Sequence, residues 1–452
     1  MSDTQGGSAT HPEQTAAQGG SQQVLTVGLL GCGIVGSGVV TLLTDHADDI
    51  AMRLGTRLVL GPVAVRNTAK DREVTPPQLT NDPDEVVGNP AVDIVVEVMG
   101  GIEPARTLIT RALEVGKPVV TANKELISTL GGELFDLADA KGTRLEYEAA
   151  VAGAIPIIKP MRENLAGDRV RKVLGIVNGT TNFILTKMSE QGVSFEEALG
   201  EAQHLGYAER DPAADIEGYD AAAKAAILAS LAFDARVVAG DVYREGITRV
   251  TATDITHAHR MGYAIKLLAI AEESGPDEPG GGGIGVRVHP ALIPEEHPLA
   301  SVRESFNAVF VEAEAADELM FYGRGAGSLP TASAVVGDIV TVARAIRSGE
   351  RPANGSHHSR RIRPFEDTVV QYYVLLDVAD QPGVLARVAG TFGAHDVSIK
   401  SVWQEGVGDH AQLLLITHAA RERNLQATLH GLRELEAVRD VASVMRVEGG
   451  EA

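Results

Sequence analysis

An acid and a base on one helix face are the first residues in this sequence that could do chemistry. In the segment GYDAAAKAAILASLAF, Asp220 and Lys224 are four residues apart, so a helix brings both side chains to one face. The surrounding Ala, Ile and Leu residues predict that much of this helix is buried. Burial lowers the pKa of an ammonium group, and a carboxylate one turn away orients it. The pair therefore predicts a proton donor and acceptor; a solvent-facing ion pair is the alternative.

An acidic segment precedes this helix. Glu209, Asp211 and Asp215 follow closely in AERDPAADIEGYD. Such carboxylates could hold a positively charged amino group of a substrate, whereas a solvated acidic loop or a divalent-metal site would use the same residue types. A second lysine, Lys124 in TANKE, follows a predicted strand. Ligands of open α/β sheets bind at that carboxyl edge, so Lys124 is a further candidate binding residue.

A glycine-rich turn predicts a dinucleotide site. The segment GCGIVG, residues 31–36, directly follows the first predicted strand and opens a helix. Glycines at this spacing allow a tight turn and close approach of a pyrophosphate to the helix N-terminus. The alternative is that they only pack the helix on the strand. The residues predicted to contact the cofactor are Gly31, Gly33, Ile34, Val35 and Gly36.

Two further residues bear on which cofactor is used and on the type of reaction. Arg66 ends the second predicted strand, where an acidic residue would bind the ribose hydroxyls of NAD. Arginine suits a 2′-phosphate, so NADP as well as NAD is predicted, with a surface salt bridge as the alternative. The only cysteine, Cys32, lies inside the glycine turn. This position disfavours covalent thiol catalysis and leaves direct hydride transfer between an alcohol and a carbonyl.

The arrangement of apolar runs predicts several domains. From Val24 onward, continuous apolar stretches alternate with helical stretches, which is typical of a doubly wound parallel α/β sheet. The C-terminal region has the order β-α-β-β-α-β of a ferredoxin-like unit. The predicted segments are a disordered tail (1–23), a nucleotide-binding domain (24–153), an α+β domain for substrate binding and dimerisation (154–320), a segment returning to the nucleotide domain (321–348), a linker (349–367) and the ferredoxin-like domain (368–450).

Composition excludes some partners. The 452 residues carry 40 Lys and Arg against 61 Asp and Glu, a formal charge of −21 that disfavours nucleic acid and anionic membrane surfaces. The N-terminus lacks the basic and apolar regions of a signal peptide, and no run of about 18 apolar residues predicts a membrane span. The lone cysteine suits a reducing compartment. These features predict a cytoplasmic protein.

Several motifs together resemble homoserine dehydrogenases. The segment from Ala202 to Lys224 is similar to the family signature in residue types and spacing. LGIVNGTTNFIL, TANKELI, YEAAVAGAIPII and GAGSLPTASAVVGD resemble the same family, and the likeness extends over residues 24–346. The C-terminal VADQPGVLARVAGTFGAHDVSI resembles an ACT domain, an amino-acid-sensing module.

The resemblance implies a fold and a reaction. The fold is a Rossmann-type nucleotide domain, an α+β catalytic and dimerisation domain and a C-terminal ferredoxin-like ACT domain. The reaction is the NAD(P)-dependent interconversion of L-aspartate 4-semialdehyde and L-homoserine, on the route to threonine, isoleucine and methionine. The implied roles are proton donor for Lys224, support of that lysine by Asp220, substrate binding by Glu209, Asp215 and Lys124, and a place beside the nicotinamide for Lys124.

The resemblance also implies sites that residue chemistry alone does not suggest. A monovalent cation, usually sodium, is expected at Glu148 and the carbonyl groups of Val151, Gly153 and Ile155. An amino-acid effector, threonine by pathway logic, is expected near Asp380–Leu385 at a dimer interface, within a homodimer or homotetramer. Deletion beyond about Arg363 is expected to leave some catalysis.

Two other functions fit the same sequence features. Another Rossmann-type oxidoreductase acting on an amino-acid-derived substrate would keep the glycine turn. A sensor of amino acid and nucleotide would bind both without turnover, but it has no need of the poised proton donor that Asp220 and Lys224 suggest.

Overall fold

The computed structural model describes residues 23–277, 281–350, 358–406 and 411–450. The predicted tail, apart from residue 23, and residues 351–357 of the predicted linker lie outside the described residues.

The strands and helices follow the order expected for three domains. The strands are β1 (Val24–Leu30), β2 (Arg57–Ala64), β3 (Gln78–Thr80), β4 (Ile94–Glu97), β5 (Val119–Thr121), β6 (Leu145–Glu146), β7 (Val170–Ile176), β8 (Tyr243–Arg244), β9 (Tyr263–Ser274), β10 (Gly283–Pro294), β11 (Phe306–Ala313), β12 (Asp317–Arg324), β13 (Val369–Val378), β14 (Ile399–Glu405), β15 (Ala411–Thr417), β16 (Ala420–Arg421) and β17 (Val438–Val447). The helices are α1 (Ile34–Asp45), α2 (Ala47–Leu54), α3 (Asp84–Val87), α4 (Ala105–Glu114), α5 (Lys124–Lys141), α6 (Gly179–Gln191), α7 (Phe195–His204), α8 (Ala213–Ile216), α9 (Tyr219–Ala232), α10 (Ala252–Arg260), α11 (Ser328–Ser348), α12 (Val384–Ala394) and α13 (Glu422–Arg433).

The first sheet is parallel and doubly wound, which confirms the predicted class. Its strand order is β3-β2-β1-β4-β5-β6, and every adjacent pair is parallel. Both faces are covered: Leu29 of β1 packs against α1 and α11, whereas Leu30 belongs to the core on the other side of the sheet. Burial on both faces explains why these strands read as continuous apolar runs.

Helix α11 packs directly on α1 of the nucleotide domain. A Cβ atom on Gly38 would lie 2.8 Å from the Ala332 Cβ atom and 2.8 Å from the Ser328 carbonyl oxygen, so glycine permits the close approach. The Ser328 hydroxyl donates a hydrogen bond to the Ile34 carbonyl oxygen at 2.7 Å.

By length and composition, Ser328–Ser348 is also apolar enough to cross a membrane, contrary to the expectation from the sequence. Half of its most apolar window is buried inside the structure, and the helix packs on α1. Its apolar character is therefore explained by its place in the core of the nucleotide domain.

The second sheet runs through two domains. Its first part has the antiparallel order β12-β11-β7-β9-β10, and β10 then pairs in parallel with β17, where Ala291 faces Arg446 and Leu292 faces Val447. The sheet continues as β17-β13-β15-β14, the four-stranded order of a ferredoxin-like domain. The C-terminal domain thus extends the sheet of the second domain.

Buried charges hold this junction together. The Glu448 carboxylate, which follows β17, accepts hydrogen bonds from Lys172 at 2.9 Å and from Arg287 at 2.6 Å. Burial alone would raise the pKa of Glu448, but Arg287 and Lys172 lower it below its usual range. Removing one partner of such a buried group leaves an uncompensated charge and is strongly destabilising. Deletion beyond about Arg363 would remove Glu448 from Lys172 and Arg287. The expectation that such a deletion leaves some catalysis stays a prediction.

Two glycine substitutions test the contact between α1 and α11. Gly38→Ala should lower the free energy of unfolding by about 1–3 kcal/mol, because the new methyl group meets the Ser328 backbone. Gly200→Ala, at an exposed position in α7 with no atom within 4 Å of the added Cβ, should raise it by about 0.5–1 kcal/mol. Urea denaturation monitored by circular dichroism measures both. Equal effects of the two substitutions would contradict the close packing at Gly38.

Candidate active site

A cavity of about 560 Å³ lies at the carboxyl edge of the parallel sheet, where the first and second domains meet. Lys124, at the start of α5, lines it from the first domain, and Lys224 of α9 lines it from the second. The loop before α11 and the turn that follows β6 complete its wall, through residues such as Gly325 and Ala150. Open α/β sheets bind ligands at this edge.

The two residues on one face of α9 form a close ion pair. The Lys224 ammonium donates to the Asp220 carboxylate at 2.7 Å and to the Val177 carbonyl oxygen at 2.7 Å. The side chains of Lys224 and Asp220 are only 12% and 11% exposed, so this is not a solvent-facing surface pair. The helix therefore presents an oriented ammonium group to the cavity.

Asp220 also contacts the first domain. Its second carboxylate oxygen lies 3.2 Å from the Lys124 ammonium. Burial alone would raise the pKa of Asp220, but Lys224 and Lys124 outweigh it and lower that pKa to about 2. Burial opposes the charge of Lys124, yet Asp220 raises the pKa of Lys124 above its ordinary value. The carboxylate is therefore ionised at neutral pH and links two cations from different domains.

Asn178 organises the carboxylates. Its side-chain NH₂ group donates to Asp215 at 2.6 Å and to Asp220 at 2.9 Å, while its carbonyl oxygen caps α6 by accepting from the Thr181 N–H at 2.9 Å. Sequence analysis assigned Asn178 no role. Its place after a strand and before GTT is an N-cap signal that could have singled it out.

Of the three carboxylates in the acidic segment, only one lines the cavity. Asp215 lines the cavity, and burial raises its pKa above the ordinary value. Glu209 and Asp211 are exposed and do not line it; Asp211 accepts a hydrogen bond from the Ala213 N–H at 3.2 Å, at the start of α8. The structure thus brings Asp215 to Lys224 and leaves Glu209 at the surface beside the cavity.

The glycine turn leaves space above the N-terminus of α1. Gly31 has φ +101°, which favours glycine, and a Cβ atom on Gly36 would lie 2.4 Å from the Gly31 carbonyl oxygen. No atom lies within 4 Å of the Cβ position of Gly33, the N-cap residue. Val35 lines the cavity and Ile34 is exposed. This arrangement fits a phosphate group at the helix N-terminus.

Glu97 joins two strand ends near the glycine turn, whereas Arg66 lies at the surface. Glu97, fully buried at the end of β4, accepts hydrogen bonds from the Met99 N–H at 2.7 Å and from the Thr121 hydroxyl at 2.6 Å. This contact ties the ends of β4 and β5 together beside the glycine turn. Arg66 is exposed two residues beyond β2.

The turn that follows Glu148 has unusual hydrogen bonding. The Glu148 carboxylate accepts from the backbone N–H groups of residues 157, 158 and 159 at 2.6, 2.7 and 3.0 Å. Across the described part of the chain, no hydrogen bond is donated to the carbonyl oxygens of Val151, Gly153 or Ile155, although all three residues are buried. Glu148 therefore caps the following helical turn, and the carbonyl oxygens of three buried residues accept no hydrogen bond from the described part of the chain.

A buried amide was missed by sequence analysis. Asn307 of β11 is fully buried and lines the cavity, and within the described residues neither its side-chain oxygen nor its nitrogen has a hydrogen-bond partner. Buried polar groups are normally paired. Its position on a strand far from α9 in the sequence gave no signal of a place in this cavity.

The chain matches three family models. Residues 31–148 match the homoserine dehydrogenase NAD-binding domain, residues 156–340 match homoserine dehydrogenase, and residues 372–437 match the ACT domain. A homoserine dehydrogenase of Mycobacterium tuberculosis is 51% identical over 437 residues, which cover 95% of this chain and 99% of the relative. The chain belongs to the homoserine dehydrogenase family.

Solved homoserine dehydrogenases have the same architecture. The enzyme of Thiobacillus denitrificans is 41% identical with a TM-score of 0.89, and the match covers 95% of this chain and 99% of that one. A hyperthermophilic archaeal homoserine dehydrogenase in complex with NADPH is 27% identical with a TM-score of 0.59, covering 71% of this chain and 98% of that one. The protein is accordingly an NAD(P)-dependent oxidoreductase with an ACT domain, which confirms the predicted enzyme class and fold.

The glycine turn gives a test of cofactor binding to this homoserine dehydrogenase. Gly33→Val should raise the KM for NAD(P) about tenfold or more, because the side chain fills the space that a pyrophosphate needs. The melting temperature should stay near that of the parent, since no atom lies within 4 Å of the added Cβ. Gly167→Val, at an exposed glycine with equally open surroundings, is the control. An unchanged cofactor KM in steady-state assays would contradict this site.

Proposed function

We propose that the protein interconverts L-homoserine and L-aspartate 4-semialdehyde with Lys224 as the proton donor and acceptor. The observation that carries this proposal is the pairing of Lys224 with Asp220 and the Val177 carbonyl inside the cavity. An ammonium group has three N–H donors, and these two partners take two of them. The third is left for the oxygen of a substrate.

The proton transfer follows from this arrangement. In reduction, the oxygen of the aldehyde gains negative charge as its carbon gains a hydride, and the Lys224 ammonium gives that oxygen a proton. In oxidation, the neutral Lys224 amine takes the hydroxyl proton. Asp220 is ionised throughout because of its low pKa, so it orients Lys224 and stabilises its charged form. NAD(P), when bound, supplies or accepts the hydride.

We propose that the carboxylates and Lys124 hold the substrate. Asp215 lines the cavity, and its charge favours the substrate's ammonium group. Glu209 lies on the exposed segment after α7 and would reach that ammonium group from outside the cavity. Lys124 faces the same space and would neutralise an anionic part of the substrate or cofactor.

The cofactor site is assigned to the glycine turn. The open space over Gly33 and the N-terminus of α1 fit the pyrophosphate of NAD or NADP. Gly31, Gly36, Ile34 and Val35 shape this turn. Arg66, exposed two residues beyond β2, would contact a 2′-phosphate, which supports use of NADP as well as NAD.

We propose a monovalent cation, sodium, at the turn after β6. Alkali cations prefer oxygen ligands, and the three free carbonyl groups of Val151, Gly153 and Ile155 supply them. The Glu148 carboxylate adds negative charge nearby while capping the next helical turn. The cation would fix the wall of the cavity to which Ala150 and Gly153 belong.

We propose that this activity serves threonine, isoleucine and methionine biosynthesis in the cytoplasm, within a homodimer or homotetramer. The ACT domain would bind an amino-acid effector, threonine, near Asp380–Leu385. Leu385, Val402 and Trp403 are 42%, 40% and 44% exposed on this domain, and the last two lie on the edge strand β14. An exposed apolar edge of this kind suits contact with a second copy.

Substitution of Lys224 tests its role. Lys224→Ala should lower kcat by about a hundredfold or more, because the proton donor is lost, while the dissociation constant of the cofactor changes little, because the glycine turn is unaltered. Absorbance of the reduced nicotinamide with L-homoserine measures kcat, and fluorescence titration measures cofactor binding. Lys187→Ala removes a lysine that is ion-paired with Glu201 at 3.0 Å outside the cavity and should leave kcat unchanged. Turnover near that of the parent in Lys224→Ala would remove this lysine from the mechanism.

The role of Glu209 has its own test. Glu209→Gln should raise the KM for L-homoserine about tenfold with little effect on kcat, because it removes a charged partner of the substrate's ammonium group. Glu196→Gln, at an exposed position on α7, is the control. A KM of Glu209→Gln equal to that of the parent would contradict a contact between Glu209 and the ammonium group.

A further inference from the structure

A second cavity, of about 460 Å³, lies where the ACT domain meets the second domain; we call it the seam cavity. Its walls are the segment from Tyr243 to Val250, helix α13 and strand β17. It shares no lining residue with the cavity that contains Lys224. None of the residues 380–385, where the ACT effector is proposed, lines it.

Two arginine side chains in the seam cavity are free to bind an anion. Arg249 and Arg433 are exposed, and within the described residues neither lies within 4 Å of a carboxylate. Arg446, which also lines the cavity, differs because it is paired with Glu422 and Glu245 at 2.9 and 2.7 Å. Free guanidinium groups in a chain of net charge −21 are a local concentration of positive charge, and they bind carboxylates well.

The same cavity offers an opposite charge and an apolar surface. The half-buried Glu217 lines it and has no ion-pair partner among the described residues. Val250, Leu429 and Met445 are buried apolar residues that line it too. A ligand that satisfies all three features carries a carboxylate, an ammonium group and a short aliphatic body.

We propose that the seam cavity is a binding site for a small aliphatic α-amino acid, separate from both the active site and the ACT loop at 380–385. The carboxylate of the ligand contacts Arg249 and Arg433, its ammonium group contacts Glu217, and its side chain lies against Leu429 and its apolar neighbours.

The position of Glu217 connects this site to the active site. Glu217 lies between Asp215 and Asp220, which share the amide of Asn178. Arg244 donates to the Glu217 carbonyl oxygen at 3.4 Å, and its guanidinium lies 3.4 Å from the ring centre of Tyr219, in the first turn of α9. A ligand that binds Glu217 therefore contacts the turn that precedes Asp220. Because Asp220 holds Lys224, binding in the seam cavity can shift both residues.

Calorimetric titration of the full-length protein tests this site with L-threonine, L-valine and L-isoleucine. Two matched compounds each lack one charge: 3-methylbutanoate lacks the ammonium group and isobutylamine lacks the carboxylate. At least one amino acid should bind, and both matched compounds should bind about tenfold more weakly or not at all. Equal binding of 3-methylbutanoate would mean an anion site only and would overturn the proposal. So would the absence of binding by every amino acid at about 10 mM.

Variants locate the bound amino acid. Arg249→Gln combined with Arg433→Gln, and separately Glu217→Gln, should raise its dissociation constant about tenfold or more. Arg53→Gln, at an exposed arginine of α2, should leave it unchanged. Asp380→Asn alters the proposed effector site of the ACT loop, so it should weaken only threonine binding at that loop and leave binding in the seam cavity unchanged. Binding that is lost only in Asp380→Asn would place the ligand at the ACT loop and reject the seam cavity. This readout needs no turnover, so its failure is separate from failure of the proposed reaction.

Discussion

The Asp220 carboxylate is the interaction on which the site depends. One of its oxygens accepts from Lys224 and from Asn178, and the other faces Lys124 of the nucleotide domain. A single ionised group therefore fixes the position of the proposed proton donor and of a cation across the domain boundary. The arrangement is stable because two ammonium groups compensate the burial of one carboxylate; with only one of them, the desolvation of the carboxylate would be poorly offset.

The segment from Gly325 to Thr331 joins this site to the core of the nucleotide domain. It lines the active-site cavity and then begins α11, which packs on α1 so closely that Gly38 has no room for a side chain. The glycine turn at the N-terminus of α1 therefore has the substrate cavity on one side and α11 on the other. The positions of the proposed cofactor and substrate sites are therefore coupled through packed backbone, which does not deform easily.

Local patterns in the sequence were enough for much of this structure. The alternation of apolar runs and helical stretches predicted the parallel sheet, and the four-residue spacing predicted the Asp220–Lys224 pair. The contacts that could not be predicted join residues far apart in the chain: Lys124 with Asp220, Asn307 with the cavity, and Glu448 with Lys172. Periodicity reports which face of an element is buried, not what it is buried against. The role of Glu209 stays a prediction, because its exposed position neither places it in the cavity nor excludes it from substrate binding.

The pairing of β10 with β17 has a consequence for how this protein is made. Lys172 and Arg287 lie in strands of the second domain, but their carboxylate partner, Glu448, follows Lys172 by 276 residues and Arg287 by 161 residues. During synthesis these two cations are complete long before Glu448 has been added. The second domain therefore cannot complete its charged core until β17 and Glu448 have been synthesised. Until β17 pairs with β10, that edge of β10 is exposed to other strands.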